Sequence, residues 1–384
     1  MVFRKAHFWG AFLGMCLSLF SFNLTAAESL PVEKEYALGQ RMFKDLTDDA
    51  NLSVGYVFYG RAAAKEHVDA LGAQGLCELL GLGTTFKPVE GMEKLQSAVD
   101  KGSAKAAFNL AVLASDQIGL ELDKNGFEKL LKKASEKGLP QAQYFYGQYL
   151  AESAKPPRYS DAAKWMTKAS SSGDLRATAY LGFLHLKGSG VAKDTEKGMA
   201  LLKQAEASGL YHSWHLRGEA YLSGFGVKKD VGAAVAQLLK SVDLGCRRSE
   251  MLLQVLPGAD SKVDQSRLTS ALKKEAVSGD RIAQHFYGVA LAGAEKGKGR
   301  YDKAAEVFTE SVDKDWLPAH SALADLYLVG MGVEQDPKKA LELLVNAAKE
   351  GNVDAEYKLG FLLHRDESSP ENQRRGFESV RNAA

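Results

Sequence analysis

The sequence predicts an all-α solenoid of about ten helix-turn-helix repeats, and three observations carry that prediction. Glycine recurs at positions 102, 138, 173, 209, 245, 279 and 351, with Asp315 filling the one gap, at intervals of 36, 35, 36, 36, 34, 36 and 36 residues. Nine residues into the repeat a second series stands, as Gly39, Gly75, Gly147, Gly182, Gly218, Gly288 and Gly360. Between the glycines, apolar residues return at the spacing of one helical face. Extending the register backward places repeats near 30, 66, 102, 138, 173, 209, 245, 279, 315 and 351, so that residues 28–384 form a single array.

Residues 1–27 precede the array and read as a secretory signal. Arg4, Lys5 and His7 form a positive start, Phe8 to Phe22 a mostly apolar run, and Thr25-Ala26-Ala27 a small-residue cleavage site. The run falls short of the roughly 20 apolar residues that a membrane span requires. A lipid-attachment box at Leu13-Gly14-Met15-Cys16 is disfavoured, because Met15 is too bulky and the apolar run continues past Cys16. The mature protein is therefore expected to start after Ala27 and to lie in the periplasm or outside the cell.

The first helix of a repeat is clearest after Gly209, where Ser213, Leu216, Gly218, Ala220 and Tyr221 share a face. Ala177, Tyr180, Gly182 and Leu184 repeat it, as do Ala355, Leu359, Gly360 and Leu362. The small residue nine positions in lets a neighbouring helix approach closely.

The turn has a fixed design, GSGVAKD at 188–194, GFGVKKD at 224–230 and GMGVEQD at 330–336. Its glycine supplies the left-handed backbone that ends a helix. Val191, Val227 and Val333 are expected to fold back over the helix ends, and Asp194, Asp230 and Asp336 to cap the next helix through a side-chain oxygen. Pro337 follows in the first helical position, where a missing N–H costs nothing.

The second helix carries Ala340, Leu343, Leu344, Ala347 and Ala348 on one face, echoed by Phe127, Leu130, Leu131 and Ala134 and by Gly55, Phe58, Tyr59, Ala62 and Ala63. Repeats near 30, 66, 245 and 279 lack the full turn, and Pro257 ends the first helix of the 245 repeat early.

Leu181-Gly182 with GSGVAKD and Lys197, Tyr221 with GFGVKKD and Ala233-Ala234, and Tyr327 with GMGVEQD and Lys339-Ala340 closely resemble Sel1-like repeats. That family is similar to tetratricopeptide repeats, whose helix pairs span 34 residues. The resemblance implies a right-handed superhelix that acts as an adaptor or scaffold, and exported bacterial members are tied to envelope assembly, host interaction or regulation. One branch of the family has a disulfide in each repeat, and this sequence departs from it. Signal cleavage removes Cys16 and leaves only Cys77 and Cys246. Stacked repeats advance by roughly 8–10 Å, whereas a disulfide needs Cα atoms within about 7 Å, so these two cannot pair within one solenoid.

With 49 basic and 48 acidic side chains the net charge is +1, which gives no general attraction for nucleic acid or an anionic membrane surface. Ser270-Ala-Leu-Lys273 matches the S-x-x-K nucleophile motif, but the S-D-N and K-T-G partners that the chemistry needs are absent. His212 and His215 lie one helical turn apart, yet no third ligand completes a metal site at the required spacing. Gly224-Phe225-Gly226 lacks the Lys-Ser/Thr ending of a phosphate loop and follows a helix rather than a strand. No cofactor is expected.

The candidate partner-binding residues stand six positions into the repeat: Phe108, Tyr144, His215, Met251, His285 and Tyr357, with Ala179 and Ser321 breaking the row. On a concave surface made of first helices they would offer contact area with a polar handle; packing between adjacent first helices accounts for the row equally well. Phe377 joins the candidates: the tenth repeat runs through Gly376, Phe377 and Val380, and either Arg374, Arg375, Glu378 and Arg381 make its outer face polar or it docks on a partner or a second copy, burying Phe377 and Val380. The sequence thus points to a non-catalytic interaction scaffold, or a regulator binding an envelope sensor, with a periplasmic serine hydrolase acting on cell-wall or β-lactam substrates as the alternative class.

Overall fold

The computed structural model describes residues 30–44, 46, 48–115, 124–257, 263–293 and 300–364, together with Arg374. Within the described residues run nineteen α-helices and no strand, as the repeating apolar faces require. The chain divides into two compact bodies, one ending at Tyr146 and the other starting at Gly147.

In the first body, α1 (Val32–Met42) pairs with α2 (Asp49–Ala64), α3 (Val68–Leu80) with α4 (Pro88–Asp100), and α5 (Ala104–Ser115) with α6 (Lys124–Glu136). The seventh helix, α7 (Pro140–Gln148), runs into the second body and ends in a π-helical turn, Tyr149–Ser153. There follow α8 (Tyr159–Ser171), α9 (Leu175–Lys187), α10 (Thr195–Glu206), α11 (Tyr211–Ser223) and α12 (Val231–Asp243). The 245 repeat contributes α13 (Arg247–Val255), nine residues long and ended before Pro257, and α14 (Gln265–Val277). Then come α15 (Arg281–Ala292), α16 (Tyr301–Val312), α17 (Leu317–Val329), α18 (Pro337–Lys349) and α19 (Val353–His364). Odd-numbered helices are the first of each pair and even-numbered helices the second.

The turns have the geometry that their residues dictate. Gly188, Gly224 and Gly330 end α9, α11 and α17 at φ of 68°, 77° and 77°. Asp194 accepts a hydrogen bond from the Lys197 N–H, Asp230 from Ala233, and Asp336 from both Lys338 and Lys339. Val191, Val227 and Val333 are half-buried beside the turns.

The second glycine of the turn does a different job. Gly190 and Gly332 also have positive φ, and a Cβ on either would overlap the first peptide of α8 at Tyr159 or of α16 at Tyr301. The turn of one repeat therefore rests on the backbone that opens the second helix of the preceding repeat.

Between repeats, Gly102, Gly138, Gly173, Gly209, Gly245, Gly279 and Gly351 adopt φ between 73° and 94°. Asp315 adopts φ 57° at the same register, and Glu66 φ 65°. A left-handed L-residue costs roughly 1–2 kcal/mol, so these two repeat junctions are held by packing on either side.

First helices stack through a row of small residues four positions into the repeat. Ala70, Ala106, Ala142, Ala177, Ser213, Ser249, Ala283, Ala319 and Ala355 are all fully buried. Ala106 of α5 meets Gly72 of α3, where a Cβ on the glycine would stand 3.0 Å from that of the alanine. Ser249 of α13 lies 2.8 Å from His215 Nδ1 of α11. The residue four positions into α1's repeat is instead Lys34, which is exposed.

Candidate protein-binding groove

In the first body, α1, α3, α5 and the start of α7 wall a groove of about 520 Å3. Its apolar lining comes from Phe43, Leu46, Leu76, Leu82, Phe108 and Leu139, and its polar groups from Gln40, Asp69, Lys105, Asn109 and Gln141. Lys105 of α5 donates to the Tyr36 hydroxyl of α1 at 3.0 Å, lies 3.4 Å from Asp69 of α3, and stands 4.9 Å above the Tyr36 ring. Burial opposes its charge, but the Tyr36 and Asp69 contacts outweigh burial and raise the Lys105 pKa above the usual lysine value. Ser103 donates to Asp69 at 2.6 Å and fixes that carboxylate.

This set suits a peptide better than a small metabolite. The apolar lining takes a bulky side chain, and the carboxamides of Gln40, Asn109 and Gln141 both donate and accept, as a peptide backbone does. Cys77 also lines the groove, but burial first, then the neighbouring Glu78, pushes its thiol up to about 12, which leaves it unreactive. A wider depression of about 960 Å3 around Phe86, Val89 and Met92 is walled only by α3, α4 and the turn between them. The groove built from four helices holds an occupant from more directions.

First helices of the second body present a packed polar floor instead. Tyr180 of α9 donates to Glu152 in the π-helical turn at 2.9 Å, and Arg248 of α13 reaches the same carboxylate at 3.9 Å. His215 Nε2 is buried without a hydrogen bond, 3.9 Å from Glu219.

The row six positions into the repeat divides between these surroundings. Phe108 lines the groove and is half-buried, packing on Phe145 with ring centroids 5.3 Å apart. Tyr144, His215 and His285 are buried, whereas Met251 on the short α13 is 61% exposed and Tyr357 on α19 is 53% exposed. The row is thus not one continuous surface, and Phe108, Met251 and Tyr357 are its accessible members. Phe377 lies outside the described residues, as do residues 1–27. His212 and His215 have ring centroids 6.4 Å apart and both are buried. Ser270 and Lys273 are exposed on α14. Sequence reading missed Asp69, Lys105 and Asn109 as groove residues because it followed a single register position, and it passed over Tyr36, which stands at that position in the repeat near 30.

The sequence model of the Sel1 repeat matches residues 140–174, 175–210, 215–246, 317–352 and 353–378. The protein carries Sel1 repeats. Three of the five matched segments contain the full GxGVxxD turn, and Sel1 repeats are typical of protein–protein interaction scaffolds. Among solved structures, the protein is similar to a protective antigen of uropathogenic Escherichia coli with an SLR fold, at 22% identity over 92% of this chain and 76% of that one, with a TM-score of 0.47. It is also similar to a Sel1 repeat protein of Oxalobacter formigenes, at 23% identity over 86% of each chain and a TM-score of 0.42. A Sel1 repeat protein of Klebsiella pneumoniae matches at 22% identity over 58% of this chain and 93% of that one, with a TM-score of 0.20. No helix among the described residues is long and apolar enough to cross a membrane.

The buried histidines make the protein's stability depend on pH. Burial, then Arg248, then His212 hold His215 down to about 3; burial, then Arg248 and Arg176, against Asp174, holds His212 to about 4; and burial and Lys358, against Asp354, hold His285 to about 4. An unfolded histidine titrates near 6.5, so below that pH the unfolded chain binds more protons than the folded one. Stability present above pH 6.5 is lost as pH falls toward 4, by on the order of 2 kcal/mol per histidine at pH 5. Urea midpoints at pH 7.5 and 5.0 are expected to fall on acidification, and by less in His285→Leu than in wild type.

Proposed function

We propose that the protein is a non-catalytic scaffold or adaptor of the bacterial envelope that grips an extended segment of a partner protein between α1, α3, α5 and α7. The groove of about 520 Å3 carries this reading, since its apolar lining and carboxamide rim match a side-chain anchor flanked by peptide backbone. The signal-like residues 1–27 support an envelope location. No observation favours a serine hydrolase: Ser270 and Lys273 stand in water on α14, and nothing there raises the nucleophilicity of the hydroxyl.

The test places a photo-crosslinking amino acid at Asn109, and at Ser270 as a control, in the native bacterium. The Asn109 position is expected to capture one protein from the envelope fraction that the Ser270 position does not, on a chain whose first residue is Glu28. Equal capture at both positions would contradict the groove, and a cytosolic chain that retains residues 1–27 would contradict the location.

A further inference from the structure

We infer that His215 and Glu219 of α11 form a binding site for an alkylammonium group in the second body. The inference does not rest on the groove in the first body. Two carboxylates stand near Arg248, and only one of them is satisfied. Glu152 accepts from the Tyr180 hydroxyl at 2.9 Å and from the Gln148 carboxamide at 3.2 Å, and Arg248 lies 3.9 Å from it. Glu219 accepts no hydrogen bond from any described residue; the ring of His215, one helical turn earlier, stands 3.9 Å from it through Nε2. The Glu219 side chain is 35% exposed, so water reaches this carboxylate on one side only.

The histidine supplies the second open acceptor. His215 is 2% exposed, its Nδ1 lies 2.8 Å from Ser249 Oγ of α13, and its Nε2 has no hydrogen-bond partner. With the ring proton on Nδ1 and donated to Ser249, Nε2 keeps a lone pair beside the Glu219 carboxylate. Burial holds the ring neutral, so Nε2 can accept from a cation instead of repelling it. A buried polar atom left unpaired costs free energy that a fitting donor recovers.

The cations already present do not fill the site. Arg248 reaches Glu152, and the Lys187 ammonium of α9 lies 5.6, 5.4 and 5.1 Å from the ring centroids of Tyr159, Phe183 and Phe225. Burial raises the Glu219 pKa and Glu152 adds to the rise; Arg248 and Lys187 oppose it without cancelling it. The carboxylate is therefore short of positive charge. An ammonium carries three donors and no acceptor, and two acceptors 3.9 Å apart place both within reach of one nitrogen. A carboxylate or phosphate would meet Glu219 with like charge. A metal ion would need a third ligand, and no group of three such side chains occurs among the described residues.

The test is a titration of the mature chain, labelled with nitrogen-15 in its histidine rings, with n-butylamine hydrochloride at neutral pH. The His215 Nε2 resonance is expected to shift saturably, and an equal concentration of sodium chloride is expected not to reproduce the shift. Glu219→Gln keeps the shape and removes the charge, and should raise the dissociation constant roughly tenfold or more; Glu219→Ala should do the same. The thermal melt of the glutamine variant is expected to stay level or rise, since an under-compensated charge is removed. A blocked Gly-Lys-Gly peptide distinguishes the sources of the ammonium: tighter binding than butylamine assigns the site to a partner's lysine, and weaker binding to a free amine. The same peptide acetylated on the lysine nitrogen should not bind. Absence of a saturable shift, equal affinity in the folded glutamine variant, or binding of the acetylated peptide would overturn the inference. So would binding that emerges only in Arg248→Ala, because Arg248 would then be the resident cation of Glu219.

Discussion

Gly190→Ala is expected to destabilise the second body by about 3 kcal/mol. Two terms add. Gly190 has φ 74°, where an L-residue costs roughly 1–2 kcal/mol. Its Cβ would also overlap the Tyr159 carbonyl and the Ser160 N–H region at the start of α8, and such overpacking costs about 1–3 kcal/mol. Neither neighbour is a flexible side chain, so relief requires the whole turn to lift from the preceding repeat. Gly209→Ala separates the terms: its φ is 73°, yet nothing lies within 4 Å of the added Cβ. Urea midpoints are expected to fall modestly for Gly209→Ala and two to three times further for Gly190→Ala. Equal losses would show that the second glycine serves backbone conformation alone and that the turn does not lock adjacent repeats.

That lock explains why so much of the fold was legible in the sequence. A repeat needs its glycines, its capping aspartate and its small helical position in fixed register: the second turn glycine meets the preceding repeat, the small position is buried, and the aspartate caps its own second helix. Asp194, Asp230 and Asp336 cap where the motif places them. The row six positions in was legible as a row but not as a surface or a core, since register gives the side of a helix and not what covers it. His215 is buried because Ser249 closes over it, and Met251 is exposed on a helix that stops at Val255, ahead of Pro257. The small row four positions in was present in the sequence and lies buried; Lys34 breaks it and is exposed.

The groove itself was least legible. Lys105 and Tyr36 are 69 positions apart, two repeats removed, and their 3.0 Å hydrogen bond depends on how tightly α1, α3 and α5 curve. Curvature is a sum of small differences in side-chain volume between repeats, and periodicity alone does not carry it.

Blocking this groove is the second large effect expected. Asn109 is half-buried in its wall on α5, and a tryptophan there would project into the space of about 520 Å3 while leaving the buried neighbours Ala106, Ala107 and Leu110 in place. An apolar anchor side chain contributes about 1.5–3 kcal/mol on burial, and 1.4 kcal/mol is tenfold in affinity. Asn109→Trp should therefore weaken binding by roughly 10- to 100-fold. The most direct measurement is the affinity of wild type and Asn109→Trp for a synthetic peptide spanning the segment crosslinked at position 109, by titration calorimetry at matched thermal stability. A protein-holding groove predicts that loss of affinity with an unchanged melt. Equal affinity of the two proteins, both folded, would contradict it.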